Sequence, residues 1–136
     1  MKLSIYMNAP TPRKKILLVD DDPSILKVLS VVLEKSGYEV HTAHYSLPAL
    51  FAVARTDPDL VLADLDMPIM DGFGLIRQLK GHRETAEIPV VAISGHDTPE
   101  SRKTAQDVGC VAYLTKPIDA RALPFQLAGY IKAHPH

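Results

Sequence analysis

The sequence predicts an α/β fold, a single parallel sheet with helices on both of its faces. Strand and helix patterns alternate five times along the chain, as repeated strand–helix–strand units do. Three strand candidates, Ile16-Leu17-Leu18-Val19, Leu60-Val61-Leu62-Ala63 and Val90-Val91-Ala92-Ile93, are apolar without interruption. Runs of that kind suit strands buried on both faces, which requires a sheet covered on both sides. A further regularity concerns chemistry: acids or a hydroxyl follow these runs directly, and a lysine lies just beyond the last strand candidate, Val111 to Leu114. In a parallel sheet, ligands gather in the crevice beyond the carboxyl ends of the strands.

Each element has a local cause. Residues 1–14 hold Pro10, Pro12 and the start of the basic cluster Arg13-Lys14-Lys15, and read as a flexible tail with no core of its own. The domain proper is expected over residues 15–136. Its first strand, Ile16 to Val19, runs into Asp20-Asp21-Asp22-Pro23. Asp22 before a proline marks a helix start, which Ile25, Leu29, Val32 and Leu33 continue until Gly37 stops it. Glu39 to Ala43 alternates enough for an edge strand. Ser46 is expected to cap the next helix, which tolerates Pro48 in its first turn and ends near Thr56.

The Asp64 strand follows, and Asp71-Gly72 opens a helix through Phe73, Leu75, Ile76 and Leu79 to about Gly81. Asp71 reads as a turn and capping residue rather than a ligand. Val90 to Ile93 delivers Ser94 and Gly95. Thr98-Pro99 caps a helix that reaches Val108 and closes at Gly109. Val111 to Leu114 is the last strand, leading to Thr115, Lys116 and Pro117. Asp119 is expected to cap a final helix through Tyr130, where Pro124 removes a backbone donor and calls for a kink or a late start.

The totals bound the function. At 136 residues the chain is one domain, long enough for a core without disulfides or metals as staples. A formal net charge of −1 gives no global bias towards nucleic acid or an acidic membrane surface. Cys110 is the single cysteine, so an intrachain disulfide is excluded and a reducing compartment fits. No apolar stretch suits a signal peptide or a bilayer span, which makes the cytoplasm the expected location.

Four strand ends supply four kinds of group: Asp20 and Asp21, then Asp64, Ser94 and Lys116. Carboxylates forced together repel, and partial desolvation raises the cost. A hard divalent cation relieves it; Mg²⁺ takes oxygen ligands, one or two carboxylates among them, and pairs with phosphate. Lys116 supplies a mobile point charge for phosphate and Ser94 a hydroxyl donor. With Asp64 as nucleophile these are the parts for phosphoryl transfer by positioning and charge stabilisation.

The stretches Ile16 to Pro23, Asp59 to Pro68 with Met70-Asp71-Gly72, Ala92-Ile93-Ser94 and Tyr113 to Pro117 together resemble the receiver domains of bacterial two-component response regulators. The resemblance covers about residues 15–133. It implies a flavodoxin-like, doubly wound five-stranded sheet of order 2-1-3-4-5. It implies that Asp64 accepts a phosphoryl group from a histidine kinase or a histidine phosphotransfer protein, and that no external substrate is turned over. Asp21 would bind Mg²⁺ directly, Asp20 through water, Asp64 as a further ligand and Asp66 through its main-chain carbonyl. Lys116 would pair with Asp64 and then with the phosphoryl oxygen, and its bond to Pro117 is typically cis in that family. Ser94 would hydrogen-bond the phosphoryl group and make room for Tyr113 to turn. That turn changes the face of the fourth helix, fifth strand and fifth helix, a two-state switch biased by local charge.

Two residues depart from the usual pattern. Asp66, two places after the acceptor, and His96, two places after Ser94, border the route by which water reaches an aspartyl phosphate, and are expected to set its lifetime. Gly95 should leave the acceptor open to a donor imidazole. Little chain follows Pro117, which favours a stand-alone switch acting on a downstream protein or in a relay. A fragment of a larger regulator and a phosphorylation-dependent dimer are both left open. Asp64-Leu65-Asp66 also resembles the paired aspartates of haloacid-dehalogenase-type phosphatases. Against that reading, Pro68 stands where those enzymes commonly have Thr or Val, and an acidic pair already ends the first core strand. An adaptor that uses the fold without phosphorylation is disfavoured by the complete set of site residues. His41 and His44 lack acid or Cys partners in sequence for a metal site, and His134 with His136 reads as a frayed terminus.

Overall fold

A computed structural model describes residues 12–67 and 72–136. Most of the expected tail, and the loop residues Pro68, Met70 and Asp71 quoted above, lie outside the described residues. Five strands alternate with five helices: β1 (Lys15–Val19), α1 (Pro23–Lys35), β2 (Glu39–Ala43), α2 (Ser46–Thr56), β3 (Leu60–Asp64), α3 (Gly72–Lys80), β4 (Val90–Ser94), α4 (Pro99–Val108), β5 (Ala112–Thr115) and α5 (Leu123–Ala133). All pairings are parallel, in the order β2-β1-β3-β4-β5. No helix among the described residues is long and apolar enough to cross a membrane.

The period of two along each strand divides the interior into two cores. Ile16, Leu18, Leu60, Leu62, Val91 and Ile93 face α1 and α5, packing on Leu26, Leu29, Leu33, Leu123 and Leu127. Leu17, Val19, Val61, Ala63, Val90 and Ala92 face the other way, onto Ala49 and Val53 of α2, Leu75, Ile76 and Leu79 of α3 and Ala105 of α4. Both β3 and β4 are buried along their whole length, as uninterrupted apolar runs require.

Register then does the work for the site. Val19 pairs with Ala63, Ala63 with Ala92 and Ala92 with Tyr113. Four strands therefore end within two residues of one another's level, and the polar residues at their ends emerge from the same edge of the sheet. Gly72 brings α3 against this edge: a Cβ there would lie 2.5 Å from the Asp64 carbonyl oxygen and 2.6 Å from Leu65 Cα. Only a glycine fits that approach.

The helix signals hold with some corrections. Asp22 caps α1 by accepting from Ser24 N–H at 2.9 Å, and Thr98 Oγ1 accepts from Ser101 N–H at 3.1 Å to cap α4. Gly37 and Gly109 take positive φ where the chain leaves α1 and α4. Ser46 is not a cap: it is the first helical residue of α2, is buried, and follows Tyr45 in extended conformation. Asp119 does not cap the last helix directly. Its carboxylate accepts from Arg121 and Ala122 N–H in a preceding turn, and α5 starts at Leu123. Pro124 thus falls in the first turn, where a missing donor costs nothing, which is the late start expected. The last strand is shifted by one residue, to Ala112–Thr115, because Val91 pairs with Ala112. The terminal histidines are exposed but make defined contacts. His134 N–H reaches the Tyr130 and Ile131 carbonyls, and His136 Nε2 lies 3.5 Å from Asp57 Oδ1.

Leu33, fully buried between α1 and the sheet, tests this packing against exposed Leu47 on α2. Leu33→Ala is expected to cost about 2–5 kcal/mol in urea unfolding. Leu47→Ala is expected to stay within about 0.5 kcal/mol.

Candidate phosphoryl and metal site

The strand ends bring together most of the residues singled out from sequence. Asp20, Asp21 and Asp64 each offer a carboxylate oxygen within 4.8 Å of the others. Asp20 and Asp64 are almost wholly buried, at 3% and 1% exposure, although ionised carboxylates are seldom buried without partners. The partner is Lys116, whose Nζ lies 3.2 Å from Asp64 Oδ2 and 3.9 Å from Asp20 Oδ2. Backbone donors complete the set. Asp64 Oδ1 accepts from Asp66 N–H and Asp20 Oδ1 from Asp22 N–H, both at 2.9 Å.

Lys116 is held from β5 by its own N–H, which donates to the Ser94 carbonyl at 2.8 Å, and its bond to Pro117 is cis. Burial works against its ammonium, but the carboxylates of Asp64 and Asp20 outweigh that and raise its pKa. Asp20 shows the opposite stress. Burial first, then the nearby Asp64, push its carboxyl from 3.8 up to about 6, against the lowering pull of the Asp22 N–H and of Lys116.

Asp66 and Ser94 meet in a way the sequence did not disclose. The exposed Asp66 side chain turns back, so that one oxygen accepts the Gly95 N–H at 2.9 Å and both lie 3.3–3.4 Å from Ser94 Oγ. A Cβ at Gly95 would meet the same carboxylate at 3.6 Å, so the expected opening beside Gly95 is bordered by Asp66. His96 is exposed, and its N–H donates to Ser94 Oγ at 3.0 Å. Tyr113, the expected switch residue, hydrogen-bonds the His96 carbonyl and, at 2.8 Å, Ser101 Oγ on α4. The Arg102 guanidinium stands 4.9 Å from its ring centroid, in cation–π range.

Ser101 and Arg102 were missed from sequence. Ser101 was findable: with Ala105 and Val108 it makes an i, i+4, i+7 stripe on the inner face of α4. His41 Nε2 lies 2.7 Å from Glu39 Oε2, an acid partner not assigned to it from sequence.

Residues 16–127 match the model of the response regulator receiver domain. The chain belongs to that family. As a receiver domain it is 36% identical over 109 residues to protein PilH of Pseudomonas aeruginosa, covering 80% of this chain and 90% of that one. It is 34% identical over 109 residues to the DNA-binding dual master transcriptional regulator RpaA of Synechocystis, again covering 80% of this chain but 45% of that protein. The receiver thus spans less than half of one curated relative and nearly all of another. The chemotaxis protein CheY4 of Vibrio cholerae superposes with a TM-score of 0.84 at 28% identity, covering 88% of this chain and 99% of that one. Receiver domains are not a classical enzyme family, and the acidic cluster of this one sits where the family binds Mg²⁺.

The Asp20 shift carries a sign. A carboxyl raised in the fold binds more protons folded than unfolded between its two pKa values, so its contribution to stability falls as pH rises through that window. In metal-free buffer, the thermal midpoint of the wild type is expected to fall relative to Asp20→Asn as pH rises from 3.8 to about 6. Differential scanning calorimetry of the two proteins across that range checks it.

Proposed function

We propose that this receiver is a phosphorylation-controlled switch in which Asp64 is the phosphoacceptor. The observation that carries the reading is a buried carboxylate at a strand end, paired with Lys116 at 3.2 Å and crowded by Asp20 and Asp21. An Asp64 oxygen attacks phosphorus in a donor phosphohistidine, the P–N bond breaks, and the imidazole leaves with a proton. Lys116 then exchanges part of its pairing with Asp64 for a phosphoryl oxygen. Ser94 Oγ and Gly95 N–H are donors facing the same space and serve the other oxygens.

The residues fit a magnesium ion. Three ionised carboxylates and one ammonium leave two negative charges, which a divalent cation neutralises. Asp20, Asp21 and Asp64, with the main-chain carbonyl of Asp66, would hold it. Bound there, Mg²⁺ supplies charge stabilisation for the transferring group. Tyr113 and Ser94 relay the change to the face of α4, β5 and α5, which meets the downstream protein. The phosphodonor is a histidine kinase or phosphotransfer protein, and the setting is cytoplasmic. The match over 90% of PilH supports a single receiver, domain 15–136, signalling by protein contact. Asp66 and His96, beside Ser94, control the approach of the hydrolytic water.

Two measurements test this reading. Intact-protein mass spectrometry after incubation with acetyl phosphate is expected to show one added phosphoryl group with Mg²⁺, little without it, and none in Asp64→Asn. Labelling undiminished in Asp64→Asn would sink the assignment. Separately, decay of the phosphorylated form is expected to change rate in Asp66→Asn and in His96→Ala. Decay identical to wild type in both removes them from the water route.

A further inference from the structure

The Asp66 carboxylate occupies two donors that an incoming anion would need. Its side chain reaches across from the end of β3 to the end of β4, fixed at 2.9 Å on the Gly95 N–H, with Ser94 Oγ shared between its two oxygens at 3.3 and 3.4 Å. The backbone of Asp66 is meanwhile tied to the acceptor itself, through its N–H to Asp64 Oδ1 at 2.9 Å. An anionic group belonging to the chain is thus held beside Asp64, facing the hydroxyl and the amide that converge there.

From this carboxylate a continuous line of hydrogen bonds runs to α4. Ser94 Oγ accepts the His96 N–H at 3.0 Å, and the His96 carbonyl accepts the Tyr113 hydroxyl. That hydroxyl also shares a 2.8 Å bond with Ser101 Oγ, one turn into α4. No phosphoryl group is needed to complete this line. Ser94 is already drawn towards an anion, and Tyr113 is already anchored on the loop that follows Ser94.

We propose that Asp66 is a built-in surrogate for the phosphoryl group: its carboxylate holds Ser94 and Gly95 as a phosphoryl group would, and so biases the unphosphorylated chain towards the switched position of Tyr113. This rests on the reading of Asp64 as phosphoacceptor and adds a regulatory consequence to it. A ligand shifts a two-state element only by its differential affinity for the two states. An anion already in place leaves the phosphoryl group less to add, so this receiver has raised output before phosphorylation and a smaller change upon it. Asp66 is a positioning residue, acting on Tyr113 through Ser94 and His96.

The test is ¹⁹F NMR of the full chain labelled with 3-fluorotyrosine, with the Tyr113 signal assigned by its loss in Tyr113→Phe. In wild type without phosphodonor, the Tyr113 resonance is expected close to the position it takes with beryllofluoride and Mg²⁺. In Asp66→Ala without phosphodonor it is expected to move away, while the signals of the other tyrosines stay. Beryllofluoride with Mg²⁺ is expected to bring it back. If Asp66→Ala does not fold, Asp66→Asn, which keeps one acceptor oxygen, is expected to give a smaller displacement in the same direction. A Tyr113 resonance that stays at its wild-type position in the folded variant, or moves no more than the other tyrosines, overturns the proposal. This comparison needs no phosphotransfer, so failure of Asp64 to be labelled is a separate result that refutes the phosphoacceptor reading instead.

Discussion

One ammonium among three carboxylates is the constraint on which the structure turns. Lys116 reaches both Asp64 and Asp20 in a place with little water, and is the cation that offsets their burial. Burial, and then the nearby Asp64, push Asp20 towards its neutral form further than Lys116 and the Asp22 N–H pull it back. A site that is electrostatically unfinished is one that a cation and a transferable anion can complete. The same shortfall that strains the fold is what the proposed ligands would relieve.

The sheet makes this arrangement rigid at one end and yielding at the other. Asp64 leaves a central strand with neighbours on both sides and helices above and below. Tyr113 lies on β5, the edge strand, whose residues are all half-buried. Fewer packing contacts must be remade to shift a residue at the edge than at the centre. A charge change fixed by a stiff strand can thus be read out two strands away, where the structure is softer.

Most of this was legible because two signals coincided. Apolar runs fixed β1, β3 and β4, and the polar residue just after each run had to emerge at the same end of a parallel sheet. Asp20, Asp64 and Ser94 could be grouped on that logic alone, and Lys116 joined them from the end of the last strand. Reading failed where a side chain's direction is decided by something distant in sequence. The Asp66 carboxylate takes its direction from Ser94 and Gly95 at the end of β4, and no local pattern around Asp66 shows that. Ser46 looked like a cap because serine favours that role, but burial against the sheet placed it inside α2. Asp119 was assigned to α5 itself, whereas Pro124 belongs in a first turn and delays the helix, leaving Asp119 to close the turn before it.

Gly72 brings the start of α3 against the Asp64 backbone with no side chain between them. The start of α3 rests directly on the carbonyl of Asp64, with no room for a methyl group between them. At this position even alanine must push either the helix or the end of β3 out of place. Along α3, Gly72 therefore joins the core positions Leu75, Ile76 and Leu79 as a place where substitution disturbs the fold.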